Sequence, residues 1–171
     1  MTTFYIISVL ILLCLGLISS IMASKKRKKA CLQLGFNFSD LIDTGKYTYG
    51  HPDLDKPIEP TYMRVIDGKI EIYSIKNNTL PYLAGTVPVE KITDITIEDA
   101  STIERRVTAA RMLMVGVFAF ALKKKKKEEL SYLVIEWSDG KYKHATMFEF
   151  IKRGAMERSN KARNALIRLT K

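Results

Sequence analysis

The sequence predicts one N-terminal transmembrane α-helix followed by a mainly antiparallel β domain that closes with a C-terminal helix. Three observations carry that prediction. Residues Phe4 to Ala23 hold no charged side chain; β-branched and aromatic runs separated by turn residues fill most of the chain after Thr61; and Gly154 to Lys171 spaces apolar residues three and four apart. The expected divisions are an anchor over 1–23, a basic juxtamembrane segment and Pro/Gly-containing linker over 24–60, and one folded domain over 61–171.

The uncharged stretch FYIISVLILLCLGLISSIMA has twenty residues. At a rise of about 1.5 Å per residue it covers the roughly 30 Å of a bilayer's hydrocarbon core. Met1, Thr2 and Thr3 carry no side-chain charge, whereas Lys25, Lys26, Arg27, Lys28 and Lys29 follow the stretch at once. The positive-inside rule then places the N-terminus outside and the rest of the chain in the cytoplasm, as a single-pass protein of the cell membrane. A cleaved signal peptide would carry its basic residues before the apolar run, and a lipoprotein signal would put a small residue where Leu13 precedes Cys14.

Net charge is +10, and the runs Lys25–Lys29 and Lys123–Lys127 contribute +5 each, so the remaining chain is balanced. Basicity confined to two spots argues against a nucleic-acid-coating surface. Two cysteines, Cys14 and Cys31, and two histidines, His51 and His144, give neither a disulfide framework nor a zinc-ligand cluster. No metal and no cofactor is expected.

Along the chain, Ala30 to Asp43 mixes apolar and polar residues and suits a short helix or docking segment. Gly45 to Pro60 (GKYTYGHPDLDKPIEP), with three prolines and two glycines, reads as a loop. Thr61–Ile66 and Lys69–Ile75 flank Asp67-Gly68, a strong two-residue hairpin signal. Which face of the second strand is buried stays open from its alternation. Tyr82–Val87 gives a short strand, and Val89–Asp99 a strand with a shift of phase that suggests a bulge. Met112–Leu122 is apolar but only eleven residues long, and extending it back to Val107 would bury Arg111 at about 2.5–3.5 kcal/mol. A core strand or an interfacial segment is the cheaper placement. Leu130–Trp137 and Lys141–Phe150 form strands about the Ser138-Asp139-Gly140 turn, and Met156, Ala162, Ala165, Leu166 and Leu169 mark the apolar side of the final helix.

The segment ERRVTAARMLMVGVFAFALKKKKKEELSYLVIEW, Glu104 to Trp137, resembles segments of bacterial PH-like and GRAM-like domains, in which an Arg-bearing apolar run, a glycine and a lysine-rich turn precede a strand of this type. The resemblance covers roughly Tyr62 to Leu169 and implies the PH-like superfold, a bent antiparallel sheet capped by a helix. It implies an interaction domain without a catalytic signature, and leaves GHPDLDKP unexplained.

Candidate contacts with a membrane surface or anionic phospholipid are Lys25, Lys26, Arg27, Lys28, Lys29, Arg111, Lys123, Lys124, Lys125, Lys126 and Lys127. Basic side chains beside an anionic leaflet contribute about 1 kcal/mol each. For Lys123–Lys127 the alternative, a solvated turn that keeps an apolar strand from aggregating, is the commoner use of such a run. His51, Asp53 and Asp55 suit turn chemistry better than metal binding or acid–base work. Trp137, Tyr132 and Phe148 read as core. Glycine-rich phosphate loops, nucleophile elbows and zinc-ligand motifs are absent from the sequence. The expectation is a non-enzymatic membrane-anchored domain that binds a protein partner or an anionic lipid surface, not nucleic acid. The alternative is a structural or envelope-active membrane component with a second inserted segment near 107–122.

Overall fold

A computed structural model of the chain describes residues 2–75, 80–99, 102–103 and 129–171, and leaves out the side chains of residues 2–5 and 8–10. The first element, helix α1, runs unbroken over Thr2–Gln33. It carries the apolar stretch and the basic run on one rod, since nothing between Phe4 and Gln33 breaks a helix except the tolerated Gly16. The helix ends where Gly35 adopts φ 80°, a left-handed turn that suits glycine.

Seven strands follow: β1 (Ile42–Tyr49), β2 (Ile58–Ile66), β3 (Lys69–Ser74), β4 (Tyr82–Pro88), β5 (Ile92–Glu98), β6 (Leu130–Ser138) and β7 (Lys143–Ile151). Helix α2 (Ala155–Leu169) closes the chain. The strands form one antiparallel sheet in the order β4-β3-β2-β1-β7-β6-β5. The expected hairpin is present, with Asp67 and Gly68 both at positive φ, 49° and 68°, as a two-residue turn requires. The expected bulge in β5 lies between Ile92 and Asp94.

The boundary expected near Thr61 is corrected. The folded domain begins with β1, a central strand paired to both β2 and β7 that runs into the stretch read as a loop. Its glycines are packing points. A Cβ on Gly45 would lie 2.5 Å from the carbonyl oxygen of Glu149, and one on Gly50 would collide with the carbonyl of Ala145. Gly45 also sits at a register shift of the β1–β2 pair.

The main core joins the inner face of the sheet, with Tyr47, Met63, Ile70, Ile72, Leu133, Ile135, Trp137 and Phe148, to Ala155, Ala162 and Leu166 of α2. Each such large apolar side chain contributes about 1.5–3 kcal/mol on burial. The helix is further tied down by the 2.7 Å hydrogen bond between the Ser131 and Ser159 hydroxyls and by Arg163, which donates from Nε to the Ile95 carbonyl at 2.7 Å. The buried stripe of α2 is Ala155, Ser159, Ala162 and Leu166, whereas Met156 and Leu169 are exposed. Of the expected apolar positions Met156, Ala162, Ala165, Leu166 and Leu169, the structure buries Ala162 and Leu166, while Ala155 and Ser159 take the places that Met156 and Leu169 leave to solvent.

Two further clusters cover the outer face. Cys31 and Phe36 bury Tyr73 and Ile75, and Ile103 packs with Tyr132, Val134 and Met147. Strand β3 is therefore buried on both faces, Ile70 and Ile72 inward and Tyr73 outward, which accounts for its unclear alternation.

Candidate functional site

The candidate residues Lys25 to Lys29 lie on α1 between its apolar part and its docking point on the sheet. Lys25, Lys26, Lys28 and Lys29 are exposed, while Arg27 is half-buried and shares a hydrogen bond with the Tyr62 phenol. One turn further on, Cys31 is fully buried, and burial pushes its thiol pKa up. Phe36 stacks on Tyr73 with ring centroids 5.2 Å apart, and the Arg64 guanidinium lies 4.4 Å from the Phe36 centroid. Glu71 accepts from Arg64 at 2.7 and 3.1 Å and from the Tyr73 phenol at 3.0 Å. The end of α1 and the residue Phe36 after it are thus packed against the outer face of the sheet, where the Arg64–Glu71 pair joins β2 to β3. Arg111, Lys123, Lys124, Lys125, Lys126 and Lys127, together with the apolar stretch Met112–Leu122, lie outside the described residues.

Among the described residues no helix is long and apolar enough to cross a membrane. From Ile11 the described side chains run only fourteen residues before Lys25, about 21 Å at 1.5 Å per residue. Phe4, Tyr5, Ser8, Val9 and Leu10 of the expected span have side chains outside the described set. Within the described part, Ile11, Leu12, Leu13, Leu15, Leu17, Ile18, Ile21 and Met22 are all more than half exposed. At 100° per residue these positions occupy every side of the helix.

The segment GHPDLDKP is the turn-rich connection between β1 and β2 that the sequence suggests, but its His51 is packed into the fold. His51 is buried, its backbone N–H donates to the Tyr47 hydroxyl at 3.1 Å, and that hydroxyl donates to the Leu54 carbonyl at 3.1 Å. The Asp53 N–H donates to His51 Nδ1 at 3.2 Å, so Nδ1 is unprotonated and Nε2 bears the hydrogen that reaches the Thr86 carbonyl at 3.1 Å. Burial lowers the His51 pKa, outweighing the Thr86 carbonyl and the Asp53 carboxylate, which act in the other direction. Both ring nitrogens are engaged, which suits a structural residue and not an acid–base catalyst. The ring lies 5.6 Å from Trp137, and Trp137 lies 4.4 Å from His144. His144 Nε2 sits 2.8 Å from Asp139 Oδ2, and Trp137 donates to Thr146 Oγ1 at 2.9 Å. Tyr132 and Phe148 are buried with Trp137. Among the described residues no group of three or more His, Cys, Asp or Glu side chains is placed to hold a metal ion.

No protein-family model, curated protein or solved structure matches the chain.

Proposed function

We propose that this is a single-pass membrane protein whose α1 anchors a non-enzymatic PH-like interaction domain at the cytoplasmic face of the cell membrane, where the domain binds a protein partner or anionic lipid. The observation that carries the reading is the exposure of large apolar side chains around the whole circumference of α1 from Ile11 to Met22. Each of them left in water forgoes about 1.5–3 kcal/mol, a loss that a bilayer removes. A helix apolar on every side belongs in a protein core or in lipid. The five basic residues that follow set its orientation by the positive-inside rule.

The PH-like assignment is supported by the strand order β4-β3-β2-β1-β7-β6-β5 with α2 packed on the sheet. A role without covalent chemistry is supported by the fully engaged ring of His51. The direct test is co-sedimentation of the full chain with neutral and with anionic vesicles, at low and at high salt. Salt-resistant binding to both vesicle types, with tighter low-salt binding to the anionic ones that is lost when Lys25, Lys26, Lys28 and Lys29 are changed to Gln, supports the reading. Absence of binding to neutral vesicles rejects the anchor.

A further inference from the structure

We infer that the start of β4 is a second membrane contact: Leu80, Tyr82 and Leu83 enter the interfacial zone of the same bilayer that holds α1. The inference rests on the anchor reading and adds to it an assignment of which part of the domain faces lipid.

Distance is the first argument. From Ala23, the last residue of the uncharged stretch, to Cys31, the first fully buried residue of the docking contact, α1 climbs eight residues, about 12 Å. The headgroup zone on one side of a bilayer is about 5–8 Å thick. The docked edge of the sheet therefore stands within a few ångströms of the headgroups when α1 runs close to the membrane normal.

Position is the second. Cys31 packs beside Tyr73 and Ile75 at the C-terminal end of β3. In the β3–β4 pair, Tyr73 is opposite Leu83 and Ser74 opposite Tyr82, so the start of β4 lies one strand from the α1 contact, at the same end of the sheet. The buried Pro81 fixes this corner, and on either side of it Leu80, Tyr82 and Leu83 are 57%, 47% and 49% exposed. Three large apolar residues in four positions on one rim form an unusual surface for a domain bathed only in water.

The chemistry of the rim favours lipid over a bound peptide. Successive side chains of a strand point to opposite faces, so Tyr82 and Leu83 are open on both sides of β4. A peptide lying on one face would cover only one of them, whereas an interface entered by a protruding tip surrounds both. Tyrosine, with an apolar ring and a polar hydroxyl, and leucine both suit that zone. Asp53, Asp55 and Lys56 border an open groove of about 530 Å³ beside Tyr82 and Leu83. This mixed border leaves little net charge, so the contact is one of apolar insertion and not of attraction to anionic headgroups.

The test uses the full chain reconstituted in phosphatidylcholine vesicles whose acyl chains are brominated either near the glycerol or near their midpoint. Single tryptophans are added at Leu12→Trp in α1, Leu83→Trp on the rim and Lys69→Trp at the β2–β3 hairpin, the opposite end of β3. The emission of the parent, whose one tryptophan is the buried Trp137, is subtracted from each. The expected result is strong quenching of Leu12→Trp by deep bromines, strong quenching of Leu83→Trp by shallow bromines only, and none at Lys69→Trp. Quenching at Leu12→Trp with none at Leu83→Trp overturns the rim contact and leaves the anchor standing. Absence of quenching at Leu12→Trp overturns both.

Discussion

The Nε2–H of His51 donates to the carbonyl of Thr86 at 3.1 Å, and the neighbouring Gly85 leaves room for that imidazole and nothing more, since a Cβ there would lie 2.8 Å from His51 Cε1. One side chain thereby ties the chain leaving β1 to β4, two strands that the sheet order separates by β2 and β3.

Gly85→Ala should destabilise the domain by about 1–3 kcal/mol through overpacking against a ring held by hydrogen bonds at both nitrogens. Urea unfolding followed by Trp137 fluorescence measures it. In the His51→Ala background the added methyl should cost markedly less, because the ring it strikes is gone.

Stability should fall as the solution is acidified through the histidine range. The His51 pKa is lowered in the folded state by burial, so the unfolded chain takes up the proton first. Its contribution is complete above the unfolded value near 6.5 and is lost as pH falls towards the folded one. Unfolding curves at neutral and mildly acidic pH should therefore converge more for His51→Gln than for the parent. An identical acid slope in the two proteins would contradict the buried neutral ring.

The α1 contact should behave as part of the domain core. Phe36→Ala removes a ring packed between Tyr73 and Arg64 and should cost about 3 kcal/mol, whereas Leu34→Ala, at a side chain 46% exposed, should cost little. Limited proteolysis offers a second measurement: trypsin should cut after Lys29 faster in Phe36→Ala than in the parent, as the junction opens more often.

Ser131→Ala and Ser159→Ala should each destabilise by about 1 kcal/mol, and the double variant by less than their sum. Each single change removes the 2.7 Å bond, with Ser159 keeping its donation to the Met156 carbonyl at 2.9 Å when Ser131 is changed, and the double change removes both hydroxyls. Thermal unfolding of the four proteins closes that cycle.

Much of this architecture was legible. Asp67-Gly68 marked the β2–β3 hairpin, the shift of phase within Val89–Asp99 pointed to the bulge found between Ile92 and Asp94, and LSYLVIEW read as a strand. Strand β1 was hidden for a physical reason. Its glycines and the prolines after it look like turn chemistry, yet Gly45 and Gly50 are there because β7 carbonyls occupy the space of a Cβ. The faces of β3 could not be separated because Cys31 at the end of α1 and Phe36 just after it, remote in sequence, cover the outer one. The basic residues Lys25 to Lys29 were evident as charges, but the hydrogen bond that sets Arg27 apart by joining it to Tyr62 depends on tertiary packing. His51 looked like a loop residue, since nothing local in GHPDLDKP reveals that Thr86 lies opposite its ring.

Flotation decides whether α1 holds the domain in a bilayer. The full chain is mixed with neutral phosphatidylcholine vesicles, washed with high salt and then alkaline carbonate, and floated through a density gradient. The chain should rise with the vesicles after both washes, and Leu12→Lys combined with Leu17→Lys should leave it at the bottom. Release of the parent chain by salt or carbonate would mean that α1 does not span the bilayer.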